Sequence, residues 1–295
     1  MNNTREKIYK WIFSILAFSS LIFLLGIIIV LFKEGLPVFK EVGFLDFIAG
    51  REWYPTDEAN PDYGILPLIL GTFWVVGGAL VVCVPLGVGS ALYVHEIANN
   101  RQRSILKPLI ELLAAVPSIV YGFFGMVIVA PYLQKLLNIP VGLCAFTGSL
   151  ILGVMATPTV CSITEDALSA VPQSFREASY AVGANRWQTL INVIMPAAGS
   201  GISTAIILGM SRAVGETMTV LMVTGGAAVI PRTFFQPVRP MTATIAAEMG
   251  EAVVGGMHYH ALFAIALILF LITFTFNVIA ELMSRKFRLK LGLGR

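Results

Sequence analysis

The sequence predicts an all-α integral membrane fold of about six transmembrane helices, and three observations predict it. The chain of 295 residues is 57% hydrophobic and only 13% charged, far from the balance of a water-soluble domain. Its apolar residues fall in runs long enough to cross a bilayer, which takes about 20 residues of helix. A polar, helix-competent insert, Ser174 to Pro196, interrupts two of these runs.

The elements follow in chain order. Residues 11–32 form the first predicted span. They are too long for a signal-peptide core, and LFKEGLP offers no small-residue cleavage site, so an uncleaved anchor is expected. An external loop, 33–64, is rich in acid: Glu34, Glu41, Asp46, Glu52, Asp57, Glu58 and Asp62. Further spans are read at 66–95, 107–133, 141–163, 197–223 and 260–283, with Pro67, Pro85, Pro117 and Pro158 in or beside them. The second long external loop, 224–259, contains MTATIAAEMGEAV, a short helix-like piece able to dip back toward a pore. The domain reading is an anchor and acidic loop (1–64), a membrane domain (65–283) and a basic tail (284–295).

Charge sets the orientation. Arg5, Lys7, Lys10, Arg101, Arg103, Lys107, Arg176, Arg186, Arg285, Lys286, Arg288, Lys290 and Arg295 lie on the side of the termini. Lys33, Lys40, Arg51, Lys135, Arg232 and Arg239 lie on the other. Thirteen against six places both termini in the cytoplasm, and the insert 174–196 with them. The net charge of +3 records this bias and gives no reason to expect nucleic acid.

The insert SFREASYAVGANRWQTLINVIMP carries paired helix signals. Ser174 with Glu177 reads as a capping box, Gly183 as a helix stop, Asn185 with Gln188 as a second capping box, and Pro196 as the end. A helix, a glycine elbow and a second helix result. With no catalytic domain beside it, such an elbow needs a partner.

The predicted fifth span contains both Arg212 and Glu216. Each ionisable group near mid-membrane carries an insertion penalty of about 2.5–3.5 kcal/mol, so the pair marks a functional candidate. Spaced four apart, the two share a helical face and can form an ion pair, either a clasp that lowers the insertion penalty of both or part of an aqueous path. A guanidinium there suits an oxyanion, because its planar fork matches oxyanion edges and stays charged.

Other groups point elsewhere. Cys83, Cys144 and Cys161 fall inside spans as small core residues, without disulfide or metal spacing. His258 and His260 flank Tyr259 as interfacial packing, and Glu111 is read as structural. Ser118, Tyr121 and Thr217 are hydroxyls suited to a pathway wall or to helix contacts, while Glu248 and Glu251 receive no role. No G-x-x-x-x-G-K-[ST] occurs, so ATP hydrolysis is expected in a partner, and no cofactor or metal is called for.

The insert resembles the EAA loop of ABC importer permeases: Glu177, Ala178 and Ser179 match EAA, Gly183 the glycine, and Val193, Met195 and Pro196 the closing I-x-L-P. Ser179, Val193 and Met195 depart conservatively from that pattern. With IELLAAVPSIVYGFFG (110–125), SRAVGETMTVLMV (211–223) and PVRPMTATIAAEMGEA (237–252), most of 64–283 is similar to the PstC family of phosphate-specific permeases. That resemblance implies a type I ABC importer permease fold in a bacterial inner membrane, with Glu177 to Gly183 docking on the ATPase. It implies a transport role for Arg212 and Glu216. The implied partners are a PstA-like permease, a PstB-like ATPase dimer and a PstS-like phosphate-binding protein, with membrane lipid around them. A sister PstA-type subunit and a permease for sulfate or molybdate are the alternatives. An ATP-independent carrier or a membrane scaffold leaves either the elbow or the buried charges unexplained.

Overall fold

The computed structural model describes residues 2–57 and 59–290. Glu58, Arg295 and the side chains of Arg5, Arg285, Lys286, Arg288 and Lys290 lie outside the described residues. Among the described residues, six helical stretches are long and apolar enough to cross a membrane: Tyr9–Glu41, Leu66–Ile97, Ser118–Leu137, Ala145–Ser169, Arg186–Val214 and Met257–Ile279.

Helix α1 (Asn2–Glu41) extends beyond the expected first span into what sequence patterning gave as loop. Packing explains the extension. Gly35 lies against the Phe263 and Ala264 backbone, where a Cβ would come within 3.2 Å, and Val38 is fully buried. The rest of the acidic loop folds into a cap: α2 (Phe44–Ala49) and a short hairpin, β1 (Trp53–Tyr54) paired antiparallel with β2 (Asp62–Tyr63). Phe47, Trp53 and Ile65 from this region share one core with Leu68, Met241, Leu262 and Ile265. Burial, with a smaller push from Glu41, raises the Tyr63 phenol above its usual pKa.

The centre of the bundle is α3 (Leu66–Leu92) against α7 (Ala145–Ser169), with α10 (Met195–Val214) packed on both. Small residues make this closeness possible, as in membrane helix pairs generally. A Cβ on Gly153 would sit 2.6 Å from Val82 Cβ, and one on Gly87 would sit 2.7 Å from Val160 Cβ. A Cβ on Gly209 would meet Val160 Cγ2 at 2.5 Å. Helix α13 (Met257–Lys290) joins α1 to α10, so residues 284–290 of the expected tail continue a helix.

The third span differs from its expected bounds of 107–133. Residues Asn100–Ala115 form a separate helix, α4, with no buried residue, capped reciprocally by Asn99 and Gln102. Val116 and Pro117 are extended, as expected of a residue before proline and of the proline itself. The membrane stretch begins afterwards with α5 (Ser118–Phe124) and reaches α6 (Ala130–Leu137) through a wide π turn, Gly125–Val129.

That wide turn recurs. Leu190–Ile194 form a π turn just before Pro196, as Gly125–Val129 do just before Pro131. A proline inside a helix lacks one N–H and crowds the carbonyl four residues back. A wider turn opens the ladder there, so the helix passes through instead of ending. Pro196 therefore does not stop the elbow's second helix: α9 (Arg186–Thr189), the wide turn and α10 run on as one span.

Candidate coupling elbow and intramembrane break

Two sites converge on α10, one at each end. At the first, α8 (Gln173–Ala181) leads to Gly183 at φ 86°, and α9 follows. Gly183 N–H donates to Tyr180 O at 3.0 Å and Ala184 N–H to Ser179 O at 3.2 Å, a Schellman closure. The Asn185 side chain accepts from Gln188 N–H at 2.9 Å, and the Gln188 side chain accepts from Asn185 N–H at 2.9 Å. The expected second capping box is present. The first is not: α8 starts straight after Pro172, which places Ser174 inside the first turn with no cap bond. Proline's preset φ and extended ψ begin the helix there.

The two arms are pinned together inside by the buried hydroxyls of Ser179 and Thr189, 2.9 Å apart. Their outer surface is unusually apolar for a polar insert. Phe175, Tyr180, Val182, Trp187 and Ile191 are exposed, Val182 at 85%, beside exposed Glu177 and Ala178. An exposed apolar patch rimmed by polar groups marks a surface suited to contact with another protein or with the membrane. Val193 and Met195 are half-buried and Pro196 is exposed where the span begins.

The second site is a break. Helix α10 ends at Val214, Gly215 caps it, and α11 (Met218–Val223) begins only after Thr217. Arg212 and Glu216 therefore lie on different elements, and the i,i+4 ion pair that their spacing allows does not form. The Glu216 carboxylate instead accepts from Thr219 N–H at 3.2 Å, and the Glu216 carbonyl accepts from the Thr242 hydroxyl at 2.8 Å. Arg212 is exposed and makes no ion pair among the described residues. Tyr121, whose hydroxyl donates to Leu113 O at 2.8 Å, lies within reach of its charge. Ser118 contributes its carbonyl, accepting from the Thr219 hydroxyl at 3.0 Å, and the Thr217 hydroxyl faces its own turn at Gly215 O.

Helix α12 (Met241–Glu248) packs back into the bundle against α3, α11 and α13, as the helix-like piece in 241–253 led one to expect. Met241 N–H donates to the Thr72 hydroxyl at 3.0 Å, which anchors its first turn.

Three carboxylates that sequence reasoning passed over turn out to organise the ends of the bundle. Glu248 accepts from Trp53 Nε1 at 3.1 Å, Arg239 Nη1 at 2.6 Å and His258 Nε2 at 2.9 Å, tying the cap to α12 and α13. Glu165 on α7 accepts from Arg103 at 3.1 Å and Lys107 at 3.2 Å on α4. Glu96, in the π turn Tyr93–Ile97, accepts from Arg176 at 2.6 Å. That hydrogen bond raises the Arg176 guanidinium above its already high pKa. The partners named here lie 9 to 195 residues away in sequence, so no local pattern announced these links. His258 thus serves a hydrogen bond to a carboxylate, and His260 donates to Glu34 O at 2.8 Å. Glu111 is exposed and unpaired among the described residues. The three cysteines are buried and free.

Among the described residues, six helices long and apolar enough to span a bilayer, with an exposed helix–glycine–helix elbow, define a multi-pass membrane protein. The model of the family described as binding-protein-dependent transport system inner membrane component matches residues 83–289, and the chain belongs to that family. The probable ABC transporter permease protein YqgH of Bacillus subtilis is 37% identical, across 88% of this chain and 85% of that one. The phosphate transport system permease protein PstC of Mesorhizobium japonicum is 33% identical, across 92% and 88%. Among solved structures, a bacterial alginate ABC transporter in complex with a pentasaccharide-bound periplasmic protein has a chain of the same fold. Its TM-score is 0.65 at 14% identity, over 97% of this chain and 98% of that one.

Proposed function

We propose that this chain is the PstC-type permease subunit of an ATP-driven phosphate importer, with residues 65–283 as its transport domain. Residues 1–64 serve as anchor and outer cap, and 284–295 as a cytoplasmic tail. The observation that carries the reading is Arg212: a guanidinium with no ion-pair partner among the described residues, one turn from a break in a membrane helix. Broken backbone at membrane depth persists only where protein or water covers it. An exposed break beside an exposed guanidinium fits a watered path for an anion. The family resemblance and the similarity to phosphate permeases supply the substrate.

The working cycle follows from the two sites on α10. An ATPase subunit in the cytoplasm grips the apolar face of the elbow around Glu177, Ala178 and Gly183. Because α9, the wide turn and α10 are one continuous rod, displacement of the elbow moves Arg212 at the far end. A binding protein outside delivers phosphate, which Arg212 receives by its fork of donors. Glu216 holds the start of α11 and keeps the break in shape. A companion permease supplies the other wall, and ATP hydrolysis stays in the ATPase.

The test is Arg212→Gln in the complex reconstituted into liposomes with its companion permease, ATPase and binding protein. Phosphate uptake is expected to fall to background while the subunits still copurify, and Arg212→Lys should keep only part of the activity. Uptake unchanged in Arg212→Gln overturns the assignment of this residue to the path.

A further inference from the structure

Among the described residues, helix α8 of the elbow makes one side-chain hydrogen bond to the rest of the bundle, while Leu190 and Ile194 of the second arm share a core with Ala91, Cys161 and Leu168. Helix α8 makes two side-chain hydrogen bonds among the described residues. Ser179 with Thr189 stays inside the elbow, whereas Arg176 Nη1 donates to Glu96 Oε2 at 2.6 Å. Glu96 belongs to the end of the second span, 80 residues earlier. Its other oxygen, Oε1, is 2.9 Å from His95 Nδ1, so the carboxylate is held from both sides. Both partners are sheltered, with side chains 16% and 14% exposed. A surface ion pair in water contributes little to stability, but a sheltered one with both carboxylate oxygens engaged has a fixed geometry.

The position matters as much as the bond. Glu96 lies in the π turn Tyr93–Ile97, where the extra residue per turn redirects side chains from the ladder of α3. Helix α3 is the one most extensively packed on α7, through the glycine contacts at 87 and 153. A push on α8 thus has two covalent routes into the membrane, back through residues 170–172 into α7 and on through α9 into α10. The Arg176–Glu96 pair adds a side-chain route into the end of α3.

We propose that Glu96 is a positioning residue that ties the end of α3 to the elbow through Arg176, so that α3 moves together with α7 and α10. The inference rests on the permease reading above and adds a side-chain load path to the covalent ones. Without the pair, the elbow still docks and α7 and α10 still move, but the end of α3 lags, and ATP is hydrolysed with less substrate moved.

The test is a double-mutant cycle in the full reconstituted complex, using Glu96→Gln, Arg176→Gln and both together. Uptake per ATP hydrolysed is expected to fall about tenfold in each single variant, the middle of the range for coupled neighbours. The double variant should be no worse than either single one, and copurification of the subunits should be unchanged. Arg176→Lys, which keeps the charge, should recover part of the ratio. Additive losses, or a ratio equal to wild type in both singles, overturn the proposal. Hydrolysis stimulated by the loaded binding protein is recorded in parallel. If the unmodified complex hydrolyses ATP but imports no phosphate, the substrate assignment fails, and the same cycle run on the stimulated rates still decides the role of Glu96.

Discussion

Gly183 shows how much one backbone angle can decide. Its φ of 86° lies where L side chains are strained, yet nothing stands within 4 Å of where its Cβ would be. The strain of a substitution is therefore conformational and small, about 1 kcal/mol for alanine and less for asparagine. Proline is different. Its ring locks φ near −65°, and it deletes the N–H that closes the Schellman turn on Tyr180 O. Gly183→Asn is expected to retain most ATP-driven uptake. Gly183→Pro should abolish uptake while the protein still reaches the membrane at normal levels, measured by quantitative blotting of the membrane fraction. Equal uptake in both variants removes the geometric role of the turn. This residue was legible in advance because a glycine after an amphipathic stretch and before an Asn-x-x-Gln box has one economical meaning. Glu216 was only half legible. Its presence in an apolar run marked it, but the spacing rule assumed an unbroken helix. Gly215 and Thr217 carry no proline or run of polar residues to announce the break.

At the scale of elements, the spans were readable from apolar length alone, and their ends were not. A proline at 196 looked like a terminus because local chemistry disfavours it within a helix, and only the wide turn shows how the chain passes it. Likewise, the apolar residues of α4 merged into the next span in any running average, although Ile105, Leu109, Leu112 and Leu113 are exposed on a separate helix. The pairing of α3 with α7 has a sharper consequence. Gly153 faces Val82 Cβ and the Ala79 carbonyl at 3.0 Å, atoms fixed to backbone, so a larger side chain has no room to turn aside. Gly153→Val should lower stability by about 2–3 kcal/mol through overpacking. The checking measurement is thermal unfolding of the purified complex in detergent, compared with Gly77→Val on the open face of α3, where nothing stands within 4 Å. A loss as large at Gly77 as at Gly153 would show that the two helices do not touch as described.

For the whole molecule, the one property that links elbow, break and cap to a direction of transport is orientation. The argument for it is electrical: thirteen basic residues on the side of the termini and six on the other. The structure offers a clean way to read it, because Cys83, Cys144 and Cys161 are at most 2% exposed and give no background to a thiol reagent. Val182, on the elbow, is 85% exposed, and Val254, in the turn between α12 and α13, is 80% exposed. The two belong to opposite ends of the bundle, since the elbow joins Glu96 at the end of α3 while the 249–256 turn follows α12 beside the cap of α2 and the hairpin. With a membrane-impermeant maleimide, Val254→Cys is expected to react in intact cells stripped of their outer layers, and Val182→Cys only in inside-out vesicles. Adding the ATPase subunit to those vesicles should then slow labelling at 182 and leave 254 unchanged, because docking covers the elbow and nothing on the far face. Labelling of 182 from outside would reverse the whole direction of the machine, since the lever would then lie where no ATP is present. Protection at 254 by the ATPase would contradict the separation of the two ends on which the lever depends.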